Sequence, residues 1–538
     1  MKTLVIAEKP SVARDIARVL GCAKKENGAL EGNQYIVTWA LGHLVTLKDP
    51  EDYDKKYKEW NMAVLPMMPE KLQIKVIPQT GKQYHAVTTQ LARKDVGEVV
   101  IATDAGREGE LVARWILDKA HNQKPCKRLW ISSVTDKAIR EGFASLKDAK
   151  EYDNLYRAAV SRAEADWLVG INTTRALTCK YNAQLSCGRV QTPTLAMIAQ
   201  REQEIREFVP KPYYTVTAAA GGAVYTWKDE KSGGTRISDP EKAKQIAEKA
   251  KRYPLVLQKV EKKKKQKEAP LLYDLTELQR DASARFGYSA KQTLNLMQSL
   301  YETHKVLTYP RTDSRYLTKD IVPTLKERLD AVSIGPYKTL AQQAKRRPLK
   351  EKPGFVNDAK VSDHHAIIPT EQYVQLSALS NEERRIYDLV VRRFLAVLLP
   401  PCVYEETVIQ ASIEKECFTA RGKRMVEKGW QEAYEDNRYD EEDEAKEEVR
   451  EQNLPLLEAG MKIGQPKISL REGKTKPPAR FTEGTLLSAM ENPVRYMENR
   501  DSSLVKTIGE AGGLGTVATR ADIIEKLFRS FLLEKKRQ

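Results

Sequence analysis

The sequence predicts a multi-domain protein of mixed α/β and α+β class, in which an N-terminal α/β domain precedes helical and strand-rich regions that interrupt one another. Two β–α units near the N-terminus, each beginning with a short apolar strand of the buried parallel type, predict the first domain. Tyr, Val and Thr alternate after about residue 210 and predict strands, whereas apolar residues three and four apart after residue 270 predict helices. The 538 residues are enough for several domains.

Acidic residues follow both predicted N-terminal strands. The first strand, residues 3–7, ends at Glu8, and the second, residues 98–103, leads into Asp104 and Glu108. In parallel α/β sheets the strand ends meet helix starts at one edge, where ligands collect. Three carboxylates there would offer the oxygen ligands that Mg²⁺ prefers. The alternative is that these acids cap helices and favour the helix dipoles.

Residues 308–314 read Thr-Tyr-Pro-Arg-Thr-Asp-Ser and place a tyrosine two residues before an arginine. Tyr309 is suited to attack a phosphodiester, but its phenol, with an ordinary pKa of about 10, needs help to become a nucleophile. Arg311 offers a forked, permanently charged donor to the phosphate oxygens on which charge develops. Pro310 stiffens the turn between them. The alternative is a strand end with a packed tyrosine and a solvated arginine.

Composition favours a polyanionic partner, because the formal net charge is +16 at pH 7 and the isoelectric point is about 9.2. The six cysteines are scattered without a Cys-x-x-Cys pair, which argues against a zinc ribbon and a disulfide framework and suits a reducing cytoplasm. The N-terminal apolar run is too short for a signal peptide, and no apolar segment of about 18 residues follows. We therefore expect a cytoplasmic protein without membrane association.

The tyrosine segment and the Leu-Tyr-Glu that precedes it resemble the active-site segment of the type IA DNA topoisomerases, in particular of their topoisomerase III branch. The resemblance implies that Tyr309 attacks and keeps the 5′ phosphate, while Arg311 and Lys9 stabilise the charged phosphorus centre. It also implies that Glu8 acts as acid and base. His364 begins an element similar to the family's His-x-Ala-Ile-x-Pro-Thr, which implies a phosphate contact or a proton relay near the tyrosine.

The two N-terminal β–α units together resemble the Toprim domain, a Rossmann-like parallel sheet shared by topoisomerases, bacterial primases and some nucleases. Toprim carries a glutamate after its first strand and a later Asp-x-Asp-x-Glu. Glu8, Asp104 and Glu108 match this pattern, but Gly106 stands where the middle acid usually falls. The resemblance therefore implies a Mg²⁺ site formed by the three matching acids, with weaker metal binding or a single ion.

The family's DNA-contacting elements are matched as well. Residues 161–175 resemble a helix that lines a single-strand groove, and residues 186–195 closely match the Gly-Arg-Val-Gln-Thr-Pro element. Trp167 has two interpretations, packing at the edge of the core and stacking on a base, which contributes roughly 1–3 kcal/mol where it occurs. The predicted DNA-binding residues are Trp60, His43, Arg162, Asp166, Trp167, Arg175, Ser186, Gly188, Arg189, Val190, Gln191, Thr192 and Arg311.

The resemblance implies a toroidal core in which the chain leaves and re-enters domains. An acidic stretch at residues 435–448 predicts a solvated or disordered loop. Residues 512–520 resemble a further family element, with Val517 in place of its usual proline, and the chain stops eighteen residues later, so we expect a C-terminally truncated core. The expected division is a Toprim domain at 1–145, a helical DNA-groove segment of the core at 146–210, a strand-rich hinge or arch domain at 211–270, a tyrosine-bearing helical domain at 271–400, the return of the strand-rich domain at 401–430, and the second, truncated part of the core at 431–538.

These features predict a DNA topoisomerase that cleaves one strand through a 5′-phosphotyrosine link, passes DNA through the break and rejoins it, relaxing negative supercoils or decatenating DNA. No Walker A motif is present, in agreement with an exchange that needs no ATP. We expect Mg²⁺ as cofactor and single-stranded or negatively supercoiled DNA as partner, with a helicase as a further candidate partner. We also expect a monomer associated with the nucleoid of a bacterial cytoplasm.

Two other interpretations stand beside this one. A Toprim phosphotransferase of the primase or nuclease type would leave Tyr309 with a structural role. A non-catalytic scaffold that binds single-stranded DNA would explain Gly106 as the mark of a degenerate metal site.

Overall fold

The computed structural model describes residues 1–347, 354–361, 364–434, 451–497 and 500–536. The acidic stretch at residues 435–448, predicted as a solvated loop, lies outside the described residues. Within the described ranges, no helix combines the length and the apolar character needed to cross a bilayer.

The N-terminal region is an α/β domain. Seven of its nine strands form one sheet and the fifth and sixth pair with each other. The strands are β1 (Lys2–Ala7), β2 (Lys24–Glu26), β3 (Ala29–Glu31), β4 (Tyr35–Trp39), β5 (Val45–Leu47), β6 (Ile74–Val76), β7 (Val96–Ala102), β8 (Cys126–Arg128) and β9 (Lys147–Asp148), and the helices are α1 (Pro10–Val19), α2 (Gly81–Leu91), α3 (Arg107–Lys119) and α4 (Asp136–Ala144).

The large sheet has the order β2-β3-β4-β1-β7-β8-β9, and its central pairs β4–β1, β1–β7 and β7–β8 are parallel. The strands β1 and β7 are apolar and buried at their carboxyl ends because helices cover both faces of the sheet. Ala7 pairs with Ala102, so these two strands end at the same level. The chain segments that follow them therefore begin side by side, as the sequence predicted.

Two helices, α5 (Asp153–Tyr181) and α6 (Gln191–Arg206), lead from this domain into a second sheet. The elements of that region are β10 (Pro212–Ala220), β11 (Ala223–Trp227), α7 (Pro240–Arg252), β12 (Leu255–Lys267), β13 (Cys402–Ile413), β14 (Glu416–Glu427), β15 (Glu451–Gln452), β16 (Lys462–Ile463) and β17 (Lys467–Lys474). The sheet has the order β16-β12-β13-β14-β11-β10-β17, with β15 paired to β14.

The second sheet is assembled from three separate parts of the chain, which leaves it after β12 and returns at β13. It also contains β15, β16 and β17, which come from the range 431–538 that the sequence assigned to the core. The sequence does not predict these strands as part of the sheet because of their local composition. The strand β17 lies at the sheet edge, has mostly exposed side chains and carries lysine, arginine and glutamate, so it lacks the apolar alternation that would predict a strand.

The remaining helices share one buried core, although their sequences lie far apart. Leu294 and Phe394 pack in the same cluster as Leu487 and Ile524. The tyrosine segment at residues 308–314 follows the helix at Ala290–Glu302, so it is attached to this single helical core. The helices are α8 (Leu275–Phe286), α9 (Ala290–Glu302), α10 (Leu325–Ala331), α11 (Lys338–Arg346), α12 (Asn381–Leu398), α13 (Glu483–Glu491), α14 (Ser502–Glu510) and α15 (Arg520–Arg529).

Candidate active site

The carboxyl ends of β1, β7 and β8 hold the acids of the site in place. Glu8 follows β1, and its Oε2 accepts the Asp104 N–H at 3.1 Å. Arg128, at the end of β8, is fully buried and donates to the carbonyl oxygens of Thr103 and Asp104, each at 2.7 Å. The buried carboxylate of Glu110 accepts from Arg128 Nε at 2.6 Å and balances its charge. The turn that carries Asp104 is thus anchored from within the domain.

Tyr309 lies against this edge of the sheet, although its segment belongs to the helical region. Its N–H donates to the Ser132 carbonyl at 2.9 Å, and its hydroxyl donates to Asp104 Oδ2 at 3.2 Å. Burial, followed by the negative charge of Asp104, raises the pKa of the phenol well above 10. The phenol is therefore protonated at neutral pH, and the Asp104 carboxylate is in position to take its proton.

Arg311 shares the cavity with Tyr309 and keeps one donor unused. Its Nη1 lies 3.9 Å from Asp104 Oδ2. Its Nε is buried and has no hydrogen-bond partner within the described part of the chain. Because an unpaired buried donor is costly, an anionic oxygen in the cavity would be bound favourably there. The arrangement suits the phosphate contact that the sequence predicts for Arg311.

Lys9 connects the start of α1 to the end of α9. Its Nζ lies 2.6 Å from Glu302 Oε1, and the side chain of Gln298 donates to the same carboxylate oxygen. The ammonium group that was predicted to stabilise the phosphorus centre is therefore paired with a carboxylate in this arrangement.

His364 is held by the N-terminal domain on both of its ring nitrogens. Its Nε2 is hydrogen-bonded to the Ala105 carbonyl, and its Nδ1 lies 2.9 Å from Ser132 Oγ. A carbonyl can only accept, so Nε2 carries the proton and the serine hydroxyl donates to Nδ1. Burial lowers the pKa of His364 to about 3, which keeps the ring neutral. The predicted phosphate contact or proton relay is not available while both nitrogens are engaged.

Glu108 lines the same cavity as Glu8 and Asp104, but its carboxylate is paired elsewhere, so the three-acid metal site stays a prediction. Its Oε1 accepts from Arg162 Nη1 at 2.8 Å, and its Oε2 lies 3.9 Å from His43 Nε2. Among the residues that the structure describes, no three His, Cys, Asp or Glu side chains are grouped as metal ligands. The reason is that α3 begins at Arg107, so Glu108 lies in its first turn and faces α5, where the guanidinium of Arg162 neutralises its charge.

Glu8 and Asp104 nevertheless suit a cation. Burial, followed by the negative charge of Asp104, raises the pKa of Glu8 to about 7. Two neighbouring carboxyl groups of this kind are a suitable donor set for a hard divalent ion, because the ion removes the repulsion between their negative charges. Gly106 leaves room beside them, since a Cβ placed there would meet no atom within 4 Å.

The predicted groove residues form a chain of charges that starts at Glu108. Arg162, which binds Glu108, lies 3.8 Å from Asp166 on the same face of α5, as their spacing predicted. Arg189 Nη1 extends the chain, 3.1 Å from Asp166 Oδ1, and both of these side chains remain exposed. The acid that was predicted to bind metal is thus linked to the predicted DNA groove.

The turn at residues 186–192 is stabilised by its own side chains. Gln191 Nε2 donates to Ser186 Oγ at 2.9 Å, and the Gly188 N–H donates to Thr192 Oγ1 at 3.1 Å. Val190 precedes the first residue of α6. The turn therefore presents the N-terminus of a sixteen-residue helix next to the exposed Arg189, a combination that favours an anion.

Of the two tryptophans among the predicted DNA contacts, Trp60 is the exposed one. Half of its surface is accessible, and the guanidinium of Arg175 lies 5.1 Å from its ring centre. Arg175 itself is buried and donates to the Tyr57 carbonyl, so it supports Trp60 and does not line an open groove. Trp167 is buried and donates to the Lys48 carbonyl at 2.9 Å. Its placement favours the packing interpretation over base stacking.

Several residues around the site were not found from the sequence. A cavity of about 410 Å³ holds Tyr309 and is also lined by Asp274, Glu491 and Arg520, which come from three distant segments. No local pattern marks Asp274 and Glu491, whereas Arg520 ends the family element at residues 512–520; the shared helical core brings the three together. Ser132 could have been found, since it lies just beyond β8, a third parallel strand that ends at the same edge.

Comparison with known proteins identifies the family. The model of the DNA topoisomerase family matches residues 150–538, and the Toprim domain model matches residues 3–134. The chain belongs to the type IA DNA topoisomerases. It is 60% identical to DNA topoisomerase 3 of Bacillus subtilis (strain 168) over 537 residues, which cover all of this chain and 74% of that protein. DNA topoisomerase 3 of Bacillus licheniformis is 59% identical, over 99% of this chain and 73% of its own length.

The fold agrees with that of a solved member. Full-length topoisomerase I from Thermotoga maritima superposes with a TM-score of 0.72 at 23% identity, over 99% of this chain and 79% of the other. The resemblance to the type IA topoisomerases, the predicted fold class and the enzyme class, an isomerase, are therefore confirmed. The N-terminal match is to Toprim, a domain that generally binds metal.

Proposed function

We propose that this type IA topoisomerase cleaves one DNA strand by attack of Tyr309 and rejoins it without ATP, and so relaxes negative supercoils or decatenates DNA. The roles proposed for individual residues rest on the contents of the cavity. It contains a phenol 3.2 Å from a carboxylate oxygen of Asp104, next to an unpaired buried donor of Arg311. A nucleophile, a proton acceptor and an anion-binding group are thus together in one cavity.

In the proposed cleavage step, the Tyr309 oxygen forms a bond to phosphorus and the bond to the 3′ oxygen breaks. The phenolic proton passes to Asp104, which already accepts its hydrogen bond. The leaving 3′ oxygen takes a proton from Glu8, whose pKa of about 7 allows it to be protonated at neutral pH. Rejoining reverses these transfers. One phosphoester replaces another, so no ATP is required.

Mg²⁺ is the proposed cofactor, held by Glu8 and Asp104. When bound it would neutralise phosphate charge and orient the broken end. A protonated Glu8 cannot bind a cation, so its acid role and its metal role exclude each other at any one time. Glu108 belongs to this proposal only if its pair with Arg162 is broken.

The proposed single-strand path runs over the exposed Arg189 and the turn at residues 186–192, with Trp60 available to stack on a base. The excess of positive charge supports affinity for the DNA backbone that falls as salt rises. A helicase partner, a monomeric state and association with the nucleoid stay predictions.

The test uses a labelled single-stranded oligonucleotide with Mg²⁺ and the whole chain, stopped with detergent. Protein-linked DNA supports the proposal. Free cut DNA would instead indicate a nuclease of Toprim type, and intact DNA would indicate a scaffold that binds single strands.

A further inference from the structure

Ser132 contacts both groups that the helical region brings to the N-terminal domain. Its carbonyl accepts the Tyr309 N–H at 2.9 Å, and its hydroxyl lies 2.9 Å from His364 Nδ1. Both contacts join different parts of the fold, since Ser132 follows β8 whereas Tyr309 and His364 belong to the helical region. Any separation of these two parts breaks both contacts together.

Tyr309 and His364 form one unit within the helical region. Their ring centres are 4.3 Å apart, and Thr312 Oγ1 donates to the His364 carbonyl at 2.8 Å. The Thr308 N–H donates to the Ile368 carbonyl at 3.0 Å. The two side chains would therefore move together when this region moves.

The imidazole occupies a slot that the N-terminal domain supplies. Trp130 stacks on it with ring centres 6.2 Å apart, and Tyr152 stacks on Trp130 with ring centres 4.5 Å apart. The Ala105 carbonyl accepts from Nε2, and Ser132 donates to Nδ1. Each nitrogen thus has one partner: the Ala105 carbonyl selects the Nε2–H tautomer, and the Ser132 hydroxyl fixes the orientation of the ring.

We propose that Ser132 is a positioning residue. When the N-terminal domain closes onto Tyr309 and His364, Ser132 fixes the orientation of both residues. In the closed form its hydroxyl donates to His364 Nδ1 and holds the ring with its Nε2–H pointed at Ala105, while its carbonyl fixes the Tyr309 backbone. On separation, both ring nitrogens of His364 lose their partners and become available to the phosphate that Tyr309 carries. The proposal rests on the proposed function, because it assigns a role to the residue between the nucleophile and His364.

Three variants of the whole chain test this role. Ser132→Ala removes the hydroxyl and keeps the carbonyl, Ser132→Thr keeps both, and Ser133→Ala is the matched control. Ser133 is buried next door, but its hydroxyl bonds to Thr135 within the same domain. The hydroxyl–imidazole bond exists only in the closed form, and rejoining needs that form. Loss of the hydroxyl–imidazole bond in Ser132→Ala should therefore raise the ratio of protein-linked to intact oligonucleotide about two- to tenfold, which is the effect of one hydrogen bond.

The hydroxyl–imidazole bond is read directly by ¹⁵N NMR of histidine-labelled protein without DNA, with the His364 signals assigned by their loss in His364→Gln. We expect the Nε2–H form in all four proteins, because the Ala105 carbonyl is retained, and a downfield shift of the Nδ1 signal in Ser132→Ala alone, where the hydrogen bond to that nitrogen is lost. Unchanged spectra and an unchanged cleavage ratio in Ser132→Ala would overturn the proposal, as would an equal effect of Ser133→Ala. If the wild type forms no protein-linked DNA, the proposed function fails, and the spectra still decide whether Ser132 positions His364.

Discussion

Lys9 Nζ lies 2.6 Å from Glu302 Oε1, so the lysine that follows the first strand is paired with a carboxylate from the last residue of α9. The pair joins the N-terminal domain to the helix that leads into the tyrosine segment. A phosphate can use Lys9 only if it displaces Glu302. Entry of the scissile phosphate and release of this contact between domains are therefore coupled events.

Glu302→Gln should strengthen binding of single-stranded DNA and make it more sensitive to salt. In the wild type Lys9 exchanges the Glu302 carboxylate for a DNA phosphate, so formation of this contact releases no net counterion. With a neutral glutamine, the phosphate contact adds one released ion, which steepens the logarithmic salt slope by about 0.7 and strengthens binding at low salt several-fold. Oligonucleotide affinity from about 50 to 200 mM salt, in a Tyr309→Phe background that prevents cleavage, measures both effects.

The matched control is Glu327→Gln, which removes the same charge from another ion pair between the two regions, Lys137–Glu327 at 2.6 Å. It should strengthen binding less, because Lys137 is not next to the proposed acid. Equal salt slopes for Glu302→Gln and the wild type would contradict competition at Lys9.

Tyr309→Phe should abolish the protein–DNA adduct and leave folding and oligonucleotide binding nearly intact. The substitution removes one oxygen, whose hydrogen bond goes to Asp104 at 3.2 Å. Tyr301→Phe is the control, because Tyr301 is a buried tyrosine packed edge-on against Tyr309 at 5.4 Å. Gel analysis after detergent should show adduct for Tyr301→Phe. Adduct formation by Tyr309→Phe would show that another group attacks.

The part of the site that could be predicted lies where strand ends fix position. Glu8 and Asp104 follow apolar strands whose register places Ala7 beside Ala102, so the pattern of the sequence is enough to bring the two acids together. Tyr309 was recognised because its motif is long. Its meeting with Asp104, 205 residues away, follows from the fold and not from the motif alone.

The expectations for Glu108 and His364 stay predictions, and both residues have partners in the structure that are remote in sequence. Glu108 was grouped with the metal ligands because its spacing fits, but Arg162 on α5 binds it. His364 was given a phosphate contact, but Ala105 and Ser132 hold both of its nitrogens. A motif records the residue type at a position, whereas these contacts depend on how helices pack between domains.

Gly106→Asp should lower the Mg²⁺ concentration needed for strand passage several-fold, because it adds a third carboxylate beside Glu8 and Asp104. The backbone there has a φ of 163°, an extended conformation open to any residue, and a side chain would meet no atom within 4 Å of its Cβ. Titration of plasmid relaxation with Mg²⁺ measures the change. Gly106→Asn, of equal size without charge, should behave like the wild type. An unchanged or higher requirement in Gly106→Asp would contradict the idea of a missing ligand.

Asp274→Asn should stabilise the protein at pH 8 and have little effect at pH 4. Asp274 lines the active-site cavity and caps α8, where it accepts the Glu277 N–H at 2.7 Å, and burial raises the pKa of its carboxyl to about 7. A carboxyl with a raised pKa favours folding in its protonated form. Its contribution is full below the ordinary pKa of about 3.8 and is lost as the pH rises towards 7. Asparagine keeps the cap and stays neutral, so it should recover about 1–3 kcal/mol at pH 8.

Thermal unfolding of the wild type and Asp274→Asn at both pH values measures this difference. Asp239→Asn is the control, because Asp239 caps α7 in the same way but is exposed, and the substitution should give no gain at pH 8. If Asp274→Asn lowers the midpoint at pH 8, the carboxylate is stabilised in the folded protein, and its proximity to Arg315 outweighs burial. A gain at pH 8 that disappears at pH 4 would instead show that the cavity beside Tyr309 holds a neutral Asp274 below neutral pH.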